Sequence, residues 1–331
     1  MQVVSGIVSL RKLHQGPLFL ALGNFDGVHL GHKKIISATV ESAAEPGACS
    51  AVLIFNPHPL QVLAPERSPA LLLTFEDRMG LLGEAGVDYI ITHPFTPEFA
   101  QLKPDDFARR ILKEELSVSG VVVGFNYSFG WRGQGKPADL VRLGAEHGFS
   151  VQVINPVEKS GAPVASSRIR ALLSMGRVEE AGDMLGYSFC LRGTVVHGDG
   201  RGRQLGFPTA NVLTSPDVIS LGHGVYLTRV SFTAEEGQKE QFWALTNVGK
   251  RPTFCKGEPS VEVHLLDLKK NLYGRELNVR FLQKIREEKM FTGPEELTEQ
   301  IKNDVVRARR LIARKYGSKN RVSNVANGFS L

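Results

Sequence analysis

Hydrophobic and polar positions follow two different patterns along the chain, and the change comes near Gly186. In the first half, short runs of consecutive apolar residues are separated by stretches with helical periodicity. The apolar runs fall at residues 18–22, 51–55, 89–91, 121–123 and 151–154. Strands that are apolar on both faces and alternate with helices are typical of a parallel sheet with helices on both sides. Two further short helices are expected at about 167–174 and 178–185.

In the second half, shorter strands are separated by glycine, proline and asparagine. They are predicted at residues 191–196, 224–230, 242–247, 261–266 and 277–282. Helical periodicity returns only at about residue 294, which predicts a small antiparallel barrel closed by a terminal helix. We therefore expect one domain at 1–185, a second at 186–316 and a disordered tail at 317–331.

Composition narrows the class of protein. The 331 residues are 42% hydrophobic, and no apolar run approaches the roughly 20 residues that a membrane helix needs. We find no signal-peptide pattern at the N-terminus. The three cysteines are widely separated, which disfavours disulfides or a metal site. We expect a cytoplasmic protein with no membrane partner, and the sequence leaves its oligomeric state open.

The net charge of +6 arises largely after residue 300. Six of the basic residues there are Lys302, Arg307, Arg309, Arg310, Arg314 and Lys315. Apolar residues recur at helical spacing in the same segment, so these charges are typical of the solvated face of an amphipathic helix. We do not expect nucleic acid as a partner.

The first segment with recognisable chemistry joins the strand at 18–22 to a helix. It is Gly-Asn-Phe-Asp-Gly-Val-His-Leu-Gly-His, from Gly23 to His32. A helix N-terminus attracts phosphate, and His29 and His32 can both donate to a polyphosphate as charge moves onto a leaving pyrophosphate. A turn with two incidental histidines is the alternative, but the full string favours function. The other candidate binding residues here are Gly23, Asn24, Phe25, Asp26 and Gly31.

A second segment opens a later helix with Ser166 and Ser167, followed by Arg168 and Arg170. Either serine is a natural helix cap. The two arginines cannot share a helix face, so one of them can reach a phosphate. Capping explains the segment when it is taken alone, and a phosphate role is favoured beside the histidine segment.

Two loops follow other strands of the predicted sheet, at the edge where ligands of parallel sheets bind. Asn56, His58 and Pro59 follow the second strand, and Asn126 lies in an aromatic-rich loop after the fourth. The aromatic rings offer flat surfaces for a ring system, although packing explains them equally well.

The second half contains a glycine-rich segment from Gly198 to Asn211. Its backbone amides can wrap phosphates, but it lacks the Gly-Lys-Ser/Thr ending of a P-loop. Thr209 and Asn211 face the same way in an extended chain, and their oxygens suit Mg²⁺ bound with nucleotide phosphates. A glycine-rich hairpin is the alternative. The other candidate binding residues here are Gly198, Gly200, Gly202, Arg203, Gly206 and Pro208.

The strand at 261–265 alternates, with Glu262 and His264 on one face. Glu262 could be a general base that accepts a proton from an attacking alcohol. An ordinary solvent-facing Glu and His would give the same alternation.

Together these motifs resemble the prokaryotic bifunctional riboflavin kinase/FAD synthetase family over about residues 15–310, in the family's motif order. The first half is similar to its nucleotidyltransferase module through GNFDGVHLGH, NPHP, GFNYSFG and SSRIR. The second is similar to its kinase module through GRGRQLGFPTAN, TNVGKRPTF and VEVHLLD, and through the segment ending in Ile285-Arg286. The implied fold is a Rossmann-like α/β domain followed by a Greek-key barrel.

The resemblance implies that ATP, with Mg²⁺, phosphorylates riboflavin to FMN, and that a second ATP adenylylates FMN to FAD. It makes Thr209 and Asn211 the metal ligands and Glu262 the base. It makes Arg170 a partner of the two histidines, and it implies that Asn126 and residues 56–59 contact the flavin. It also includes Asn247 and Arg286 among the ligand-binding residues.

Two departures from the family's motifs are visible. Ser167 stands where threonine is usual, and Ser128 lies where the family often has arginine. Neither change removes a proposed catalytic group, so both activities are expected. One alternative is a working kinase beside an inactive adenylyltransferase. The other is an RNA-binding barrel, which would need aromatic residues interleaved with basic ones.

Overall fold

The computed structural model describes residues 1–198, 200–234, 237–250, 259–268 and 270–317. The contacts between residues divide the chain into two compact units, and the boundary in the sequence falls between Ser166 and Ser167. The tail predicted at 317–331 lies outside the described residues except for Gly317. No helix in the described part of the chain combines the length and the apolar character required to cross a bilayer.

The first unit contains a six-stranded sheet and helices on both of its faces. Its strands are β1 (Gln2–Ser5), β2 (Leu18–Leu22), β3 (Cys49–Phe55), β4 (Tyr89–His93), β5 (Gly120–Gly124), β6 (Ser150–Ile154), and the small pair β7 (Glu158–Lys159) and β8 (Ala162–Pro163). Its helices are α1 (Ile7–Leu13), α2 (Leu30–Ser42), α3 (Pro59–Leu63), α4 (Phe75–Glu84), α5 (Pro104–Asp106), which continues as a π-helix over Phe107–Glu115, and α6 (Pro137–His147).

The strand order is β1-β4-β3-β2-β5-β6, and every neighbouring pair is parallel. Both faces are buried: Leu20 and Leu53 pack on one side, and Ala21 and Ile54 are fully buried on the other. The parallel sheet predicted from the apolar runs is therefore confirmed. The chain runs outward from β2 through β3 to β4 and then crosses to β5, so the strand order reverses between β2 and β5. Ligands of open α/β sheets bind at such a reversal.

One strand of this sheet was not predicted. β1 lies at the edge beside β4, and Val4 is its only buried residue. A strand that buries a single side chain carries neither the continuous apolar run nor the alternation by which strands are recognised.

The second unit is a closed antiparallel barrel with flanking helices. Its strands are β9 (Cys190–Val196), β10 (Ala210–Thr214), β11 (Gly224–Thr233), β12 (Lys239–Lys250), β13 (Pro259–Leu265) and β14 (Glu276–Arg286). Its helices are α7 (Ser166–Ser174, whose first residue ends the first unit), α8 (Val178–Leu185), α9 (Arg201–Gln204) and α10 (Pro294–Tyr316).

The barrel order is β10-β13-β12-β11-β14-β9, closed by pairing of β9 with β10. Strands β11, β12 and β13 are consecutive neighbours and β10 lies beside β13, which is a Greek-key arrangement. The barrel and the terminal helix are therefore as predicted. The helix packs Val305, Ala308 and Leu311 against Val225 and Leu245 of the barrel wall.

Two elements of this unit were not predicted. Strand β10 was missed because Val212 is its only buried residue. The glycine-rich segment contains the one-turn helix α9, where no helix was expected before residue 294. The contacts also group α7 and α8 with the barrel, and the domain boundary near Leu185–Gly186 stays a prediction. The physical reason for that grouping is that the Gly222 amide donates to the Leu173 carbonyl at 2.9 Å, next to the bond from the Tyr226 hydroxyl to Gly222.

Candidate active sites

The turn after β2 is held in an unusual backbone conformation. Phe25, Gly27 and Val28 all have positive φ angles, of 50°, 85° and 35°. The side chains of Phe25 and Val28 are fully buried, so core packing stabilises a conformation that side chains other than glycine rarely adopt. The turn delivers His29 to the N-cap of α2.

The rings of His29 and His32 lie against each other at the start of α2. Their rings stack with centroids 3.6 Å apart, and the His32 amide donates to His29 Nδ1 at 3.3 Å. Because Nδ1 accepts that bond, a neutral His29 carries its proton on Nε2, the atom that can donate to a phosphate oxygen. A β-carbon at Gly31 would lie 3.2 Å from the His29 ring, so glycine allows this close approach.

The surroundings of His32 set its protonation state. Burial, and secondarily the charge of His29, lowers the pKa of His32 well below its ordinary value of 6.5. Its Nδ1 is buried and has no hydrogen-bond partner within the described residues. His32 is therefore neutral at pH 7.

Asn24 connects the turn to two other elements. Its carbonyl accepts a bond from Arg78 Nη1 at 3.1 Å, and its amide lies 3.2 Å from His58 Nε2. Arg78 projects from α4, is 5% exposed, and was missed because its spacing on an amphipathic helix carries no signal of function. Burial lowers the pKa of its guanidinium and the charge of Asp26 raises it.

Asp26 anchors the other side of the turn. Both of its carboxylate oxygens accept from the Leu72 amide, at 3.0 and 3.1 Å. Its carbonyl accepts the Ser166 hydroxyl at 2.9 Å. The Ser166 hydroxyl therefore contacts the turn from Gly23 to His32, which we call the histidine turn. The residues Ser167, Arg168 and Arg170 lie further along α7, and their roles stay predictions.

The loop after β3 begins with Asn56 and Pro57 and leads into α3. His58 is buried and caps α3, its Nδ1 accepting from the Leu60 amide at 3.2 Å, and Pro59 is the first helical residue. His58 thus has a structural role at the helix start and a contact with Asn24 in the histidine turn.

The loop after β5 contains one exposed aromatic ring and two rings that pack against each other. Asn126 is exposed next to Phe125, which is 43% exposed. Tyr127 stacks on the buried Phe129 with ring centroids 5.8 Å apart. The flat surface available beside Asn126 is therefore that of Phe125, and the other two rings stabilise the loop.

The barrel brings three predicted residues into one row. Asn211 of β10 lies opposite Glu262 of β13, and Glu262 lies opposite Asn247 of β12. Cross-strand partners project to the same face of a sheet, so an amide flanks the carboxylate on each side. The sequence predicted the residues of this row, but only strand pairing places them together.

The glycine-rich segment folds closely over Thr209 and Asn211. A β-carbon at Gly198 would overlap the Asn211 amide, and one at Gly202 would lie 3.0 Å from Thr209 Oγ1 and 2.5 Å from the Phe207 carbonyl oxygen. Gly200 and Gly206 have positive φ angles of 69° and 83°. Arg203 is exposed on α9 between them. This segment therefore needs glycine for close approach as well as for backbone conformation.

Arg286 forms an ion pair with the terminal helix. Its Nε donates to both carboxylate oxygens of Asp304, at 2.9 and 3.1 Å, and the Asp304 side chain is 6% exposed. Arg286 lies opposite Val225, which lies opposite Asn247. Its ion pair therefore joins α10 to the strand row that contains the candidate base.

The fold and these two sites define a two-part transferase that uses nucleotides. Family models agree: residues 11–168 match FAD synthetase and residues 185–312 match riboflavin kinase. Bifunctional riboflavin kinase/FMN adenylyltransferases are similar along most of the chain. The enzyme of Listeria monocytogenes is 37% identical over 86% of this chain and 89% of its own, and that of Pseudomonas fluorescens is 39% identical over 95% and 98%.

The chain therefore belongs to the bifunctional riboflavin kinase/FMN adenylyltransferase family. Its fold is also similar to a crystal structure described as a macrolide-efflux protein from Streptococcus pneumoniae. That similarity has a TM-score of 0.81 and 28% identity over 96% of this chain and 100% of the other.

Proposed function

We propose that this chain makes FMN from riboflavin and ATP in its second unit and FAD from FMN and ATP in its first. The observation that carries the proposal is the row of Asn211, Glu262 and Asn247 beside the glycine-rich segment. Both family models match the chain, so a kinase with an inactive first unit is not favoured.

In the kinase step, Glu262 accepts the proton of the ribityl 5′-hydroxyl as its oxygen attacks the γ-phosphorus of ATP. The bond from that phosphorus to the bridging oxygen breaks, and ADP leaves. The amides of Asn211 and Asn247 flank Glu262 and orient it. The backbone of the glycine-rich segment approaches the phosphates, and its glycines are what permit this approach.

The donor set fits Mg²⁺, because Thr209 and Asn211 offer hard oxygens under a segment that only glycine allows so close. These two residues would hold the ion. The ion would neutralise charge on the nucleotide phosphates.

In the adenylyltransferase step, a phosphate oxygen of FMN attacks the α-phosphorus of ATP and pyrophosphate leaves. His29 Nε2 and the N-terminus of α2 stabilise charge on the leaving group. His32 donates as a neutral imidazole because burial lowers its pKa. Ser166, Ser167 and Arg170 act beside the histidines, and Asn126 and the loop from Asn56 to Pro59 contact the flavin.

We further propose that the protein works in the cytoplasm with small molecules as its partners, and without nucleic acid or membrane. The composition and the motifs support this.

Incubating the purified chain with riboflavin, ATP and Mg²⁺ and separating the flavins by chromatography tests the function. FMN should appear first and FAD should follow. FMN that accumulates with no FAD contradicts the adenylyltransferase assignment, and riboflavin that stays unchanged contradicts the kinase assignment.

A further inference from the structure

His264 lies two residues after Glu262 on β13 and on the same face of the strand. Val261, Val263 and Leu265 are buried on the opposite face. Val263 pairs with Ala210, the first residue of β10, so His264 and Thr209 are the next residues after that pair on their two segments. His264 therefore belongs to the patch that contains the candidate base and metal ligands.

The contacts of His264 are with the glycine-rich segment. Its Nδ1 lies 2.9 Å from the Pro208 carbonyl oxygen. A carbonyl only accepts, so Nδ1 carries the proton and donates. The ring also meets the edge of Phe207, with centroids 5.6 Å apart, and the Phe207 amide donates to the Gly202 carbonyl at 2.8 Å.

The Pro208 carbonyl is the peptide oxygen immediately before Thr209. The proline ring fixes φ on one side of that unit, and the bond from His264 fixes the orientation of the peptide plane on the other. Thr209 and Asn211 follow within three residues.

The geometry points to His264 as a positioning residue of the kinase site, whose Nδ1–H holds the Pro208 carbonyl and so orients Thr209 and Asn211 beside Glu262. This inference rests on the kinase function proposed above. It assigns His264 no contact with substrate and no proton transfer.

Two substitutions in the full chain separate the bond from the packing. In His264→Asn the amide Nδ2 occupies the place of Nδ1 and can still donate, whereas His264→Phe keeps the ring against Phe207 and loses the donor. Groups that orient metal ligands typically change affinity or activity by about 10- to 100-fold when removed. We expect a loss of that size in FMN formation for the Phe variant, and recovery of most of the activity in the Asn variant.

A binding measurement gives a readout that does not depend on turnover. Calorimetric titration of ADP at increasing Mg²⁺ should show that His264→Phe needs more Mg²⁺ for tight binding, whereas His264→Asn behaves as the unmodified chain does. Hydrogen exchange of the ligand-free Phe variant should be faster at residues 207–211 only. FAD formation from supplied FMN is the internal control and should not change.

Three results overturn the inference: unchanged FMN formation and Mg²⁺ dependence in His264→Phe, equal loss in both variants, or unchanged exchange at residues 207–211. If the Phe variant loses exchange protection throughout the barrel, His264→Gln replaces it in these experiments. The amide donor of glutamine lies one bond further from the backbone than that of asparagine and misses the Pro208 carbonyl, so the losses expected for the Phe variant are expected for this one. A chain that makes no FMN before substitution refutes the kinase function instead, and the ADP titration still decides the role of His264.

Discussion

His29 and His32, three positions apart in the sequence, stack with their ring centroids 3.6 Å apart. His32 is held neutral because burial lowers its pKa well below 6.5. His29 caps the helix through Nδ1 and carries its own proton on Nε2. This arrangement supports the proposal that each histidine offers one hydrogen-bond donor to the leaving group.

The lowered pKa of His32 predicts its behaviour with pH. NMR titration should show no change in the His32 ring resonances between pH 7.5 and 6.5, where an unperturbed histidine titrates. Below its ordinary value of 6.5 the unfolded chain binds this proton more tightly than the folded one, so stability present above that pH is lost as pH falls. The His32→Asn variant should lose less stability than the unmodified chain between pH 7 and 5. A His32 that titrates near 6.5 would contradict this account.

At the scale of elements, the sequence predicted strands and helices wherever their pattern is continuous. The apolar runs that became β2 to β5 are buried on both faces, and the apolar stripe that became α10 covers the barrel. Among the elements that were missed, β1 and β10 each bury a single side chain, and α9 is one turn long. The contacts from Arg78 to Asn24 and from His264 to Pro208 could not be predicted, because each joins residues more than fifty positions apart.

The glycine-rich segment gives a prediction at this scale. In Gly198→Ala, the new methyl group would overlap the Asn211 amide and displace it from the row beside Glu262. FMN formation should fall by about tenfold or more, since small misplacements of reacting groups cost up to about 100-fold. FAD formation from supplied FMN should not change.

Gly182→Ala is the matched control for that substitution. Gly182 lies within α8 of the same unit, and a β-carbon there makes an ordinary contact of 3.4 Å with the Tyr187 carbonyl oxygen. It should keep normal FMN formation. Equal rates in Gly198→Ala and Gly182→Ala would show that the close approach to Asn211 is not needed for the kinase reaction.

At the scale of the whole molecule, the chain combines two units with different folds and separate site residues. His29 and His32 lie in the first unit, and Asn211 and Glu262 lie in the second. The basic residues after position 300 belong to α10, where Arg309 pairs with Asp267 and Lys315 with Glu179. Both ion pairs lie at the surface, and the basic side chains of this helix are exposed, as predicted for a solvated face.

The two reactions are assigned to two separate sites, and one assay on two variants tests this assignment most directly. FMN formation from riboflavin and FAD formation from supplied FMN are measured for Asn211→Ala and His32→Ala. The first variant should lose FMN formation and keep FAD formation, and the second should do the reverse. If either variant loses both activities while its circular dichroism and thermal unfolding remain those of the unmodified chain, the assignment of the two reactions to separate sites is contradicted.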